Sequence, residues 1–492
     1  MKNDPKHETL KSALIGIAAL AALVCWLTLQ PRLPNLEPKE KIGKKLFEDF
    51  NDPGKMTRIE FTGIDPETGA VRSLTLVRDG QGWSLPGMSG FPAENADRLA
   101  KIVAPLMQLT VLDVVDETAK TSDVRRITEF HRECGLISPQ TFDVDREMFV
   151  ASDEKATVEK DGETSENLAQ GAALQVRIEG EAGEPLLDLL IGARVPESSA
   201  TRDNRFIRLP NEEVVYTADF IGDSTQEAGT TEFMEYPDRV SFEPIDWVDR
   251  DLLRISRWDI LNLASRDYSF SIKREDKNVL VANYQSAGVA VFKQTPENSI
   301  SRVWSLERRF NQETNGAWKE VGDIAPESAN NDALNMTADV LGALKIADVR
   351  KKPSVLAELF HSSNTGAALL SHAETLSDFG FAMSDLDPLD PSRIEPILIG
   401  EGGTIDLTMK TGVRISILFG HKFEDKRAVL AFASFSRDAL AQTAEDESEI
   451  AFLEPEARQK ANLKNERFAD WFYLIDEAEY QKLQFRFSDS LK

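Results

Sequence analysis

Over most of this chain apolar and polar residues alternate in short runs separated by turn residues. Arg58 to Phe61 and Val71 to Arg78 alternate with the period of two that buries one face of a β-strand, and Asp65-Pro66-Glu67-Thr68-Gly69 between them forms a turn sequence. Asp79-Gly80 turns the chain again into Gly82-Trp83-Ser84-Leu85. From Ala93 to Leu109 the period changes: Leu99, Ile102, Val103, Leu106 and Leu109 share one helical face, and Pro92 stands just ahead, where a helix start accepts proline. Leu112 to Val115 predicts another short strand.

The same order returns in the second half. Arg302 to Arg309 alternates, Gly316-Ala317-Trp318 supplies a tryptophan, and Ser328 to Leu344 has helical spacing. Counted from Trp83 and from Trp318, Leu99 and Leu334 fall at +16, Leu106 and Leu341 at +23, and Leu109 and Leu344 at +26. Each predicted helix leads to a short piece, Asp113-Val114-Val115 and Ala347-Asp348-Val349, and later to Gly135-Leu136 and Gly380-Phe381. Leu174 to Ile178 with Leu186 to Gly192 resembles Ile405 to Met409 with Val413 to Gly420, both hairpins closing on an apolar residue and a glycine. Glu213 to Tyr216 corresponds to Trp471 to Ile475. An ordered set of matches implies internal duplication. Trp247 to Ile260 is expected to bridge the copies, and Asp153 to Asn167 and Ala444 to Glu449 to be exposed, charged loops.

One stretch breaks the pattern. Ala13 to Leu29 is 17 residues without a charge, closed by Gln30-Pro31-Arg32. At ~1.5 Å per helical residue it covers about 25 Å, slightly short of a ~30 Å hydrocarbon core, with Lys11 and Arg32 able to snorkel to the headgroups. A retained transmembrane anchor is expected. The rival is a cleaved signal peptide, against which the apolar run continues through Leu23 to Leu27. Large domains cross a membrane largely regardless of flanking charge, so the expectation is a single-pass inner-membrane protein with the bulk of the chain extracytoplasmic. Pro31 to Pro38 reads as a stiff spacer.

Composition narrows the partners. The net charge is −26, from 83 acidic and 57 basic residues, which repels nucleic-acid phosphates. The apolar content of 41% fits a folded chain. Only Cys25 and Cys134 are present, so no disulfide framework is expected.

Chemistry is sparse. His131 and Cys134 lie three apart on a predicted helix, enough for two zinc ligands at most, and a core-facing cysteine beside a surface histidine is expected instead. Asp385, Asp387 and Asp390 are broken by prolines and lack the glycine of a calcium loop; Asp143 and Asp145 read as solvated residues. Gly400 to Gly403 reads as a turn without the lysine of a phosphate loop. Trp83 and Trp318 are expected as core anchors. No catalytic, cofactor or metal residue is nominated, and a non-enzyme is expected.

The strand pair, Gly82-x-Trp83-x-Leu85, the leucine-rich helix, Gly135-Leu136, the Ile191-Gly192 hairpin end, Asn204-x-Phe206-x-Arg208 and Val215-Tyr216 together resemble the bacterial domain-of-unknown-function family numbered 4340. Arg250 to Ile255 also resembles that family's downstream segment. The resemblance covers about residues 58 to 275, with a weaker copy from 290 onward in which Arg427-Ala428-Val429 replaces the aromatic-Arg step. It implies a single-span accessory protein associated with ABC-type permease and ATPase subunits or gliding-motility-type auxiliary proteins, without established catalytic residues. The expected fold is α+β: an N-terminal transmembrane helix followed by two related modules of mainly antiparallel sheet packed on helices. The expected division is a tip and anchor at 1–30, a linker at 31–56, a first module at 57–245, a connecting segment at 246–275 and a second module at 276–492. An envelope scaffold or glycan-binding protein is the alternative, and an extracytoplasmic hydrolase a third reading.

Overall fold

The computed structural model describes residues 38–492 except 81, 95, 116–122, 143–156, 161–162, 167, 197–202, 221–239, 276–277, 297–301, 315, 363–365, 386 and 390–394. The expected anchor, most of the proline spacer, Asp143, Asp145 and Asp390 lie outside the described residues. Among the described residues no helix is long and apolar enough to cross a membrane. The chain divides into two compact units, Met1–Ser73 with Asp97–Val240, and Leu74–Ala96 with Ser241–Lys492.

The fold is α+β, built on two large antiparallel sheets. The first contains β1 (Arg58–Ile64), β2 (Val71–Asp79), β3 (Gly82–Leu85), β4 (Phe91–Ala93), β5 (Val111–Val115), β8 (Leu174–Glu179), β9 (Pro185–Arg194), β10 (Asn204–Arg208) and β11 (Val215–Asp219). The strands β6 (Thr157–Lys160) and β7 (Glu163–Glu166) pair separately, so part of the expected charged loop is a hairpin. The second sheet contains β12 (Ile260–Glu275), β13 (Asn278–Pro296), β14 (Arg302–Gln312), β15 (Trp318–Glu320), β16 (Asp348–Lys351), β19 (Thr404–Met409), β20 (Val413–Phe423), β21 (Lys426–Phe435) and β22 (Trp471–Asp476). Beside it, β17 (Phe381–Ser384) pairs with β18 (Ile397–Gly400). The helices that matter below are α1 (Ala96–Gln108), α2 (Val124–Glu133), α3 (Asn331–Gly342), α4 (Ser354–His361), α5 (Ala373–Asp378), α6 (Arg437–Ala441), α7 (Glu447–Ala469) and α8 (Glu477–Lys482).

The two sheets have the same strand order. The first runs β4-β3-β2-β1-β8-β9-β10-β11-β5 and the second β15-β14-β13-β12-β19-β20-β21-β22-β16, so each strand's counterpart stands eleven strand numbers later. This shared order explains the paired glycines. In the first unit Ala193 N–H donates to Cys134 O at 2.8 Å, and a β-carbon on Gly192 would lie 2.3 Å from that same carbonyl oxygen. In the second His421 N–H donates to Phe379 O at 2.8 Å, and a β-carbon on Gly420 would lie 2.1 Å from it. Gly135 and Gly380, at φ 69° and 82°, supply the left-handed turn that brings these backbones together. Around each crossing sits an equivalent cluster: Cys134, Leu136, Leu190 and Val215 in one unit, Phe379, Phe381, Leu418 and Phe472 in the other. Phe379 stacks on Phe472 with ring centroids 4.0 Å apart.

Strand order also revises one match between the copies. Trp83 lies in β3, whose counterpart is β14, so the triplet Trp83-Ser84-Leu85 corresponds to Trp304-Ser305-Leu306 and not to the region of Trp318. Ser84 Oγ donates to Val77 O at 3.2 Å and Ser305 Oγ to Lys293 O at 3.5 Å, each to its cross-strand partner. Trp83 and Trp318 are only half-buried, whereas Trp247, Trp304 and Trp471 are buried. The first strand of the second sheet, β12, occupies residues 260–275, within the stretch expected to connect the modules. Pro92 lies in the edge strand β4, where a missing N–H is tolerated, and α1 begins only at Ala96. Ala444 to Glu449 leads into the 23-residue helix α7, started by Asp446 accepting from Ser448 and Glu449 N–H, where an exposed loop was expected.

Candidate functional site

The second sheet carries a large elaboration. β12 pairs with β19 only over Ile260–Arg266, and β13 pairs with β14 only from Val289 onward. Beyond those points Asp267–Glu275 and Asn278–Gly288 pair with each other as a two-stranded ribbon interrupted by two register shifts. Bulges of this kind increase local twist and end pairing with neighbours. Asn283, at φ 52°, sits beside one of them and donates from Nδ2 to Ser271 Oγ at 2.9 Å. One side of the ribbon is held down: Tyr268, Phe270 and Ile272 pack with Ala382, Ile397 and Ile399 of the β17–β18 hairpin. Near the tip, Arg274 pairs with Asp378 and donates to Ser377 Oγ at 2.9 Å, at the end of α5. The opposite strand exposes Leu280, Val281 and Tyr284, and its outer edge has no strand partner among the described residues.

A buried charge cluster fixes the root of this ribbon. Arg266 lies 3.1 Å from Asp406 and 3.4 Å from Asp387, all three buried; Arg414 stands 3.7 Å from Asp406, which also accepts from Ser416 Oγ at 2.5 Å. Burial alone would raise the Asp406 carboxyl, but Arg266 and Arg414 reverse this and hold it below its ordinary value. The same carboxylates overcome the desolvation of Arg266 and raise its guanidinium. Tyr268 shares a 2.5 Å hydrogen bond with Thr404 Oγ1, and burial pushes its hydroxyl upward. Asp267 accepts from Arg486 and from Phe487 N–H, both at 2.8 Å. Breaking a buried pair like this costs about 3–5 kcal/mol, so the cluster holds one geometry strongly.

Beside the root is a cavity of about 560 Å³ lined by Phe270, Glu401, His421, Arg427, Tyr480 and Arg486. Its charges are largely matched. Arg427 forms a bidentate pair with Glu477 at 2.8 and 3.1 Å and lies over the Tyr480 ring at 4.0 Å. Burial would raise Glu477, but Arg427 lowers it overall. Tyr480 donates to Gly402 O at 2.7 Å, so the Gly400–Gly403 turn serves as a carbonyl acceptor. His421 Nδ1 meets Glu401 Oε1 at 2.9 Å.

The residues weighed from sequence are scattered. His131 is buried on α2, not on the surface, with Nε2 2.9 Å from Glu213 O, and Cys134 fills the core position that Phe379 occupies in the other unit. Of the aspartate-rich segment, Asp387 enters the Arg266 cluster. Among the described residues no three His, Cys, Asp or Glu side chains are arranged to hold a metal ion. Arg266, Asp406, Arg427 and Arg486 were missed by sequence reasoning. The available signal was Asp406 inside the apolar run Ile405 to Leu407, on a strand buried on both faces.

Comparison with protein-family models, with curated proteins and with solved structures finds no match.

Proposed function

We propose that this chain is a non-catalytic, membrane-anchored extracytoplasmic accessory subunit of an ABC-type transport system, composed of two copies of one duplicated module and acting through protein–protein contact. The observation carrying the contact role is the ribbon of β12 and β13: a rigidly rooted element with an open strand edge and exposed Leu280, Val281 and Tyr284. An open edge of this kind accepts an extended segment of a partner by strand addition. The duplication rests on the common strand order and the twin glycine crossings. The anchor and the transporter partner rest on the Ala13 to Leu29 span and on the family resemblance of the first module.

The test is a mild-detergent pull-down of the full-length chain from its own membranes, read by mass spectrometry, beside an exported form lacking residues 1–30. Permease and ATPase subunits are expected with the anchored form. Recovery of neither from a folded protein sinks this reading and favours a cell-envelope scaffold that binds glycan.

A further inference from the structure

Helix α7 is absent from the first sheet's β10–β11 connection; in the second unit it fills the path from β21 to β22. One of its faces, carrying Lys460, Lys464 and Arg467, borders a cavity of about 360 Å³ that is also lined by Leu253, Met409 and Val413. That volume falls within the ~300–1,000 Å³ of small-molecule sites.

The charges around it are unequal in kind. Arg254 is paired with Glu94 at 2.6 Å and Asp249 at 2.8 Å, and Arg467 with Glu94 at 2.6 Å. Lys460 is paired with Glu456 at 2.7 Å. Asp259, the lining carboxylate, faces Lys410. Lys464 differs: its ammonium donates to the carbonyls of Leu253 at 2.8 Å and Arg254 at 3.3 Å, and no carboxylate partner is found among the described residues. Two of its three donors are thus used, leaving one for a ligand. Burial, with Arg254 and Arg467 nearby, pushes this lysine down to about 8. A desolvated cation flanked by two guanidinium groups gains most from an anion, and the apolar wall favours a ligand with a hydrocarbon portion.

We propose that this cavity binds an amphipathic monocarboxylate, with Lys464 holding the carboxylate and Leu253, Met409 and Val413 enclosing its aliphatic chain. The site is independent of the transport-accessory reading. Because a carboxylate beside Lys464 favours its charged form, binding takes up protons near pH 8.

Titration calorimetry of the full chain with octanoate at pH 8, in buffers of differing ionisation heat, tests the site. One saturable site with net proton uptake is expected. Lys464→Met should weaken binding at least ten-fold and abolish the uptake. Lys464→Arg, which keeps the charge, should retain binding without uptake. Met409→Trp, which fills the cavity, should remove binding while the melting transition persists. The proposal is overturned if octanol binds as tightly as octanoate, if Lys464→Met binds octanoate unchanged, or if the folded wild-type chain shows no saturable site.

Discussion

At equivalent places in the two sheets, the same strand order carries opposite chemistry. Arg177 on β8 pairs across to Asp188, four residues before the crossing glycine Gly192; Asp406 on β19 pairs across to Ser416, four before Gly420. Arg177 is exposed, whereas Asp406 is buried under Arg266. One topology therefore serves both a solvated sheet face and a covered one. What changes is what meets this position: in the second unit Arg266, which pairs with Asp406, also pairs with Asp387, and β12 and β13 continue past the sheet as the ribbon. The glycine crossings are common because the strand order requires two backbones to meet. Among the described residues the Arg266–Asp406–Asp387 cluster stands in the copy that carries the ribbon.

The largest test of this contrast is Asp406→Asn against Arg177→Ala. Removing one partner of the buried cluster should cost about 3–5 kcal/mol, measured by urea unfolding, while the exposed position should change by less than about 0.5 kcal/mol. The Asp406 carboxyl is held below its ordinary 3.8 in the folded chain. Its stabilisation is therefore complete above that value and lost as pH falls through the lower folded one. Asp406→Asn should flatten acid unfolding in that window; an unchanged acid limb would remove Asp406 from the account.

Next in size are Gly192→Ala and Gly420→Ala, which should each destabilise by roughly 1–3 kcal/mol or more, because the added carbon meets a backbone carbonyl that cannot move freely. Similar losses in both units, by differential scanning calorimetry, would support equivalence; a loss in one alone would break it.

Lys352 provides a smaller, pH-resolved test within the second unit. It lies immediately after β16, and its ammonium donates at 2.9 Å to both Phe468 O and Ala469 O at the end of α7, above the Phe360 ring. Burial pushes it from 10.5 down to about 7. Between those values the unfolded chain holds the proton and the folded chain does not, so this lysine makes stability rise with pH. In Lys352→Met that share of the rise should vanish from urea midpoints between pH 7 and 10; an identical slope would show that the carbonyls and ring keep the ammonium charged.

Smallest in stability is Val281→Asp on the ribbon, expected to shift unfolding by under about 0.5 kcal/mol while reducing capture of a membrane partner. Loss of stability with unchanged capture would place the function elsewhere.

Much of the fold was legible because it rests on local periodicity. The alternation of Arg58 to Phe61 and Val71 to Arg78, the helical spacing of Leu99 to Leu106 and the glycine-apolar pairs each report a local geometry, and each falls in the element it implied. The Trp318 match failed because it aligned residues by count, whereas β14 and its turn lengthen the second copy between the Trp-Ser-Leu triplet and α3. His131 was misplaced because a single polar residue on a helix carries no sign of what packs over it. Its acceptor, Glu213 O, lies 82 residues away.

By itself the sequence determined the alternation of strand and helix, the repeated order of motifs, the glycines needed for close backbone approach and the scarcity of metal or nucleophilic motifs. These follow from side-chain period and from the steric limits of single residues. Only the tertiary structure decided that Arg266, Asp387 and Asp406 meet, that Lys464 borders a cavity and donates to the carbonyls of Leu253 and Arg254, and that β12 and β13 outrun their sheet. Those outcomes depend on the register and length of strands far apart in the chain, and hence on which surfaces desolvate which charges.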